Sequence, residues 1–117
     1  MATEDLTWAL SSPERAYLYA LDVINSRFAP GEYLIAGDPH YAFFYARDVI
    51  GGRFSLGEAV IAQDPRWAYC YARDVIQARW AEGEAAIIQE PWWALKYYHH
   101  FRDSFTEHER LLWLLKQ

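Results

Sequence analysis

The residues that could do chemistry in this chain are set out by a period instead of being gathered at one place. Asp22, Asp48 and Asp74 stand 26 apart, and so do Arg27, Arg53 and Arg79. Arg47 and Arg73 precede the second and third of these aspartates, with Leu21 before the first. An inward row of such charges could grip an anion. The plainer alternative is a ladder in which each aspartate satisfies arginine or backbone groups at a unit junction and fixes register. Paired charges of this kind add specificity more surely than stability. Groups that recur in every unit are usually what builds the unit, so the expectation is structural.

Two further constellations are weaker. His99, His100, Asp103, Glu107 and His108 crowd one stretch, and the i, i+4 pair His99 and Asp103 could present two metal ligands on one helix face. Adjacent histidines point apart on a helix, however, and Thr106 starts a new one, so a solvated polar surface is expected and no metal or cofactor is assigned. Cys70 replaces Leu18, Phe44 and Lys96 of the other copies, a position that takes any side chain. No serine or histidine has the spacing of a nucleophile–base pair. Catalysis is not expected.

The functional signal lies in what varies between copies. Arg15, Tyr41, Trp67 and Trp93 follow the recurring prolines by two, with Glu14, His40, Arg66 and Trp92 beside them. Leu18, Phe44, Cys70 and Lys96 follow by five. On a helix these form one edge, mixed in aromatics and cations. Trp, Tyr and Arg are the residues enriched at interface hot spots. Arg15, His40, Tyr41, Phe44, Arg66, Trp67, Trp92, Trp93 and Lys96 are the candidate partner-binding residues. The alternative, that Tyr41, Trp67 and Trp93 are simply core against a neighbouring helix, stays open.

The elements that must position this edge are legible from the repeat. Pro13, Pro39, Pro65 and Pro91 stand 26 apart, as do Ala16, Ala42, Ala68 and Ala94, and Tyr19, Tyr45, Tyr71 and Tyr97. Fixed-period self-similarity marks an array whose units bury their apolar faces against neighbours. Ser12, Asp38 and Asp64 precede their prolines as N-caps, and Glu90 is a weaker version. A helix A then runs from Pro39 to about Ile50, with the stripe Ala42, Tyr45, Ala46, Val49 and Ile50 at helical spacing. Gly51-Gly52 ends it and Asn25-Ser26 ends the copy before, while Gln77-Ala78 is less decisive. A short helix B follows, with Ser55 and Glu58 in capping-box form. Glu32, Glu58 and Glu84 recur near its start, and Ile35-Ala36, Ile61-Ala62 and Ile87-Ile88 are expected to point inward. The expected fold is all-α, an α-solenoid-like short-helix tandem repeat of about eight helices. It is read as one domain over residues 1–117: a cap at 1–11, repeats at 12–37, 38–63 and 64–89, and a C-terminal cap at 90–117. In the first cap, Glu4 to Ser11 aligns with a helix B, Trp8 and Leu10 on its apolar side. In the last, Thr106 and Glu109 form a second capping box before LLWLLKQ.

At 117 residues with six Trp, nine Tyr and six Phe, the chain has ample apolar area for one core. A net charge of −5 gives no electrostatic reason for non-specific nucleic-acid binding and suits ordinary solubility or a partner with a basic surface. One cysteine excludes a disulfide framework. The first residues lack the pattern of a signal peptide, and no stretch suits a membrane span. A cytoplasmic protein with no membrane association is expected.

The motif DPxxAYxYARDVIxxRWxxGExxIAxD, found at Asp38–Gln63 and Asp64–Gln89 and more loosely at Ser12–Gly37, resembles tandem repeats in uncharacterised proteins of bacteriophages, large DNA viruses and some bacteria. The resemblance covers about residues 12 to 98 and implies a helical array in a viral setting, hence host cytoplasm. It implies no activity. Three functions are weighed. The first is a non-enzymatic protein-binding module, in a phage an inhibitor that occludes a host defence protein. The second is a small-molecule or nucleotide sponge using rings and arginines. The third is a self-associating structural protein, a homodimer through the apolar C-terminal helix.

Overall fold

The computed structural model describes residues 5–117; Glu4 of the expected first cap lies outside the described residues. Among those described are eight α-helices and no strand. The A-type helices are α1 (Pro13–Leu18), α3 (Pro39–Phe44), α5 (Pro65–Tyr71) and α7 (Pro91–His100), and the B-type helices are α2 (Glu32–Ile35), α4 (Ser55–Ile61), α6 (Ala81–Ile87) and α8 (Glu107–Leu115). The protein is an all-helical repeat. It divides into two compact units between Val60 and Ile61.

Capping follows the residue types. The side chains of Ser12, Asp38 and Asp64 accept from the amides of Arg15, Tyr41 and Trp67, each at 3.1 Å, while Glu90 makes no side-chain cap. At the far end Thr106 and Glu109 close a reciprocal capping box, with amide contacts of 2.9 and 3.1 Å. Helix α4 opens on Ser55 itself, and the Glu58 carboxylate forks onto Arg53 at 2.7 and 2.9 Å.

The A helices depart from a uniform α-helix. Their second halves, Tyr19–Ile24, Tyr45–Ile50 and Ala72–Ile76, are π-helical. Each ends on a left-handed residue: Asn25 (φ 51°), Gly51 (φ 72°) and Gln77 (φ 60°). The amides of these three residues reach back five positions to Ala20, Ala46 and Ala72. Gln77 therefore stops its helix as firmly as Gly51 does. The longer hydrogen-bonded ring also rotates the positions that follow it. Ala42, Tyr45 and Ala46 of the expected stripe are buried, but Val49 and Ile50 are only half-buried.

In the first unit the core gathers Ala16, Tyr19, Phe28, Ile35, Phe43 and Tyr45. In the second it gathers Ala68, Tyr71, Trp80, Ile87, Tyr97 and Trp113. One close approach recurs in both. A Cβ on Gly31 would stand 2.7 Å from the Phe28 ring and 3.0 Å from Ala16 Cβ. On Gly57 it would meet Phe54 at 2.8 Å and Ala42 at 2.9 Å, and on Gly83 Trp80 at 2.8 Å and Ala68 at 3.0 Å. Helix B thus crosses its own helix A where glycine faces alanine. The first cap differs from expectation: residues 7–10 form a turn, Ala9 is buried, and Trp8 is 49 % exposed.

Candidate interaction surface

Arg27, Arg53 and Arg79 clasp the recurring glutamates, while Asp48 and Asp74 pair with Arg47 and Arg73, as expected of aspartates that satisfy arginine. In the first unit the Arg27 guanidinium forks onto Glu32 at 2.8 and 3.0 Å. Tyr45 from the next A helix donates its hydroxyl to Glu32 at 2.6 Å and accepts from the amide of Phe28 at 2.8 Å. In the second unit Arg79 forks onto Glu84 at 2.9 and 3.1 Å, and Tyr97 donates to Glu84 at 2.5 Å and accepts from the Trp80 amide at 2.9 Å. Arg79 also reaches Glu109 at 3.1 Å. The partner of the recurring arginine is the glutamate five residues on, because the turn into helix B folds the chain back over that spacing.

The recurring aspartates serve elsewhere. Asp48 takes a fork from its neighbour Arg47 at 2.7 and 3.1 Å and a hydrogen bond from the Tyr17 hydroxyl at 2.9 Å. Asp74 takes a fork from Arg73 at 2.7 Å. Asp22, preceded by Leu21, is exposed. Electrostatics follow the contacts. Hydrogen bonds from Arg27 and then Tyr45 hold the Glu32 carboxyl below its usual range against the opposing cost of burial. Arg47 and then Tyr17 do the same for Asp48. Burial and the Glu32 carboxylate push Tyr45 up to about 12. These groups hold fixed charge states near neutrality, which suits structure better than proton transfer.

The variable edge forms one surface in each unit. In the first, the Tyr41 ring lies 5.8 Å from Tyr17 of the preceding A helix, and its hydroxyl donates to Glu14 at 3.2 Å. His40 stacks on Tyr41 at 4.5 Å and meets Phe44 edge-on at 4.6 Å; all three are half-buried. Arg15 is exposed, its guanidinium 5.4 Å from the Trp8 ring centre. In the second unit Trp93 lies 5.8 Å from Tyr69, Arg66 lies over Trp67 at 4.6 Å, and Lys96 lies over Trp92 at 5.1 Å. Trp67 and Trp93 are half-buried, whereas Arg66 and Lys96 are exposed and Trp92 is 66 % exposed. Tyr41, Trp67 and Trp93 are all half-buried, neither wholly surface nor wholly core, and the rings of Tyr41 and Trp93 rest on those of Tyr17 and Tyr69. Sequence reasoning passed over Tyr17 and Tyr69, the buried rings on which the edge rests. Their recurrence four residues after the proline was the available signal.

The C-terminal helix offers a second surface. Trp113 is buried and donates its indole N–H to the Ala94 carbonyl at 3.0 Å. Leu111, Leu112, Leu114 and Leu115 are 58, 48, 43 and 72 % exposed. Open clefts flank it, one of 590 Å³ lined by Tyr98, His108, Leu111 and Leu114, the other of 300 Å³ lined by Phe105, Leu112 and Trp113.

The remaining candidates are not assembled into a site. Among the described residues no three of His, Cys, Asp and Glu are placed to share a metal ion. Cys70 is half-buried. Among the described residues no helix is long and apolar enough to cross a membrane. No protein-family model, curated protein or solved structure matches the chain.

Proposed function

We propose that this protein is a binding module that acts without catalysis by presenting the variable edge of its A helices to a protein partner. The supporting observation is the half-open aromatic edge, rings anchored on Tyr17 and Tyr69 with cations beside them. Anchored aromatics supply contact area at low entropic cost, as at interface hot spots. In the viral setting suggested by the repeat motif, the module occludes a host defence protein in the host cytoplasm. The test is affinity capture from a bacterial lysate with the natural chain and a His40→Ala, Trp92→Ala variant, one change in each unit. Both positions retain solvent exposure, so circular dichroism is expected to be unchanged. A partner lost by the folded variant is the expected result; no partner above background with either chain overturns the reading.

The exposed leucines of α8 favour a second reading, self-association through that helix. The nucleotide-sponge reading draws on the same rings and arginines and is tested by the ADP arm below.

A further inference from the structure

We propose that the α5–α7 edge of the second unit is a receptor for an acidic peptide segment that also carries apolar side chains. The inference rests on the protein-binding reading above and names the partner's chemistry. It begins with the cations. Arg27, Arg47, Arg53, Arg73 and Arg79 each pair with a carboxylate of this chain. Arg66 and Lys96 pair with none among the described residues, and each lies over an indole, that of Trp67 and that of Trp92.

The register of the repeat explains why a carboxylate is missing there. In the first unit the ring two after the proline, Tyr41, touches two residues of the preceding A helix: Tyr17 at 5.8 Å and the Glu14 carboxylate at 3.2 Å. In the second unit Trp93 lies at the same 5.8 Å from Tyr69, so the register is preserved. That register sets Arg66 where Glu14 stands and an indole where the Tyr41 phenol stands. The first unit satisfies this place internally with an acid and a hydroxyl. The second puts a guanidinium, a donor, in place of the acid, and among the described residues no carboxylate pairs with it.

A guanidinium lying on an indole face keeps its N–H fork turned outward, and a fork recognises carboxylate with two parallel bonds. Lys96, one helical turn after Trp92, adds a second positive centre. Trp92 and the half-buried Trp93 would cover apolar side chains between the acids. The net charge of −5 favours a basic partner at long range. Salt screens that field over about 8–10 Å, however, whereas the two cations act in contact.

The test is fluorescence anisotropy of a fluorescein-labelled peptide of alternating glutamate and leucine, with the glutamine–leucine peptide and ADP as comparison ligands. The expected result is saturable binding of the glutamate peptide with Kd below about 1 mM, weakened about tenfold or more in the glutamine peptide and in an Arg66→Gln, Lys96→Gln variant. Both substituted residues are exposed, so the variant keeps its circular dichroism. No saturation by the glutamate peptide, equal binding of both peptides, or undiminished binding by the variant overturns the proposal. So does binding of ADP alone, which would reassign the cations to phosphate. A lysate partner kept by the Arg66→Gln, Lys96→Gln chain but lost by the His40→Ala, Trp92→Ala chain overturns this inference and leaves the binding-module reading standing.

Discussion

At the scale of single residues, the chain separates its charged groups into those that close the scaffold and those that face outward. Tyr45 closes it most completely. Its hydroxyl donates to Glu32 and accepts from the Phe28 amide, and the ring is fully buried. Tyr45→Phe keeps the shape but leaves a buried carboxylate oxygen and a buried amide each short of a partner. The expected cost is about 1–3 kcal/mol in urea unfolding, while Asp22→Ala, on an exposed side chain, stays within about 0.5 kcal/mol. Acid sensitivity follows from the same contacts. Glu32 and Asp48 have carboxyl pKa values lowered in the folded state by Arg27 and Arg47, respectively. A lowered folded value means stability fully present above the unfolded-state pKa and lost as the pH falls through the folded one. Melting temperature is therefore expected to hold at neutrality and fall as the pH drops below the ordinary carboxylate values. Glu32→Gln should flatten part of that fall while lowering the neutral-pH plateau. An unchanged acid profile in that variant would show that Glu32 is not among the groups responsible.

At the scale of elements, the crossing of helix B over helix A depends on a glycine in three of the four A–B pairs, at Gly31, Gly57 and Gly83. Alanine is the better helix former by about 1 kcal/mol. Gly31→Ala is nevertheless expected to destabilise by about 1–3 kcal/mol, because its Cβ would overlap the Phe28 ring and Ala16. The helix C-termini invite the opposite change. Gln77 holds a left-handed conformation (φ 60°), a region that costs an ordinary L-residue about 1–2 kcal/mol. Gln77→Gly should raise stability by about 0.5–1 kcal/mol after the extra unfolded-state entropy of glycine is counted; a lowered denaturation midpoint would contradict the geometry. These positions also mark how far the sequence could be read. Prolines, caps and alanines gave the A helices and their starts, since each acts locally. The 26-residue period gave the repeat. The partner of Arg27 was not legible, because Asp22 and Glu32 both lie five residues away in sequence and only the turn direction selects Glu32. The π-helical halves were hidden for a related reason: nothing in YARDVI distinguishes a ring closed over four residues from one closed over five. The edge was found as variable positions, yet whether its rings face solvent or core depended on Tyr17 and Tyr69 beneath them.

At the scale of the whole molecule, what is left uncovered decides how the chain associates. Among B-type helices α8 is the longest, at nine residues, and carries four exposed leucines around one buried tryptophan. The inner α6 shows a different economy: its seven residues are AEGEAAI, and the apolar group it sends inward is Ile87. Fully burying a leucine gains about 1.5–3 kcal/mol relative to leaving it exposed. Two copies covering half of such a face could therefore offset part of the association cost of about 4–15 kcal/mol. The margin is narrow, so a weak, concentration-dependent dimer is expected in place of a permanent one. Sedimentation across a concentration series should show mass rising above 13.7 kDa at high concentration. Leu111→Glu with Leu115→Glu should return the chain to a monomer with its helicity intact, because Trp113 stays buried against α7. The Arg66→Gln, Lys96→Gln chain should associate like the natural one, since its changes lie on the A-helix edge. A constant monomer mass throughout would remove self-association and leave the variable edge as the working surface of the protein.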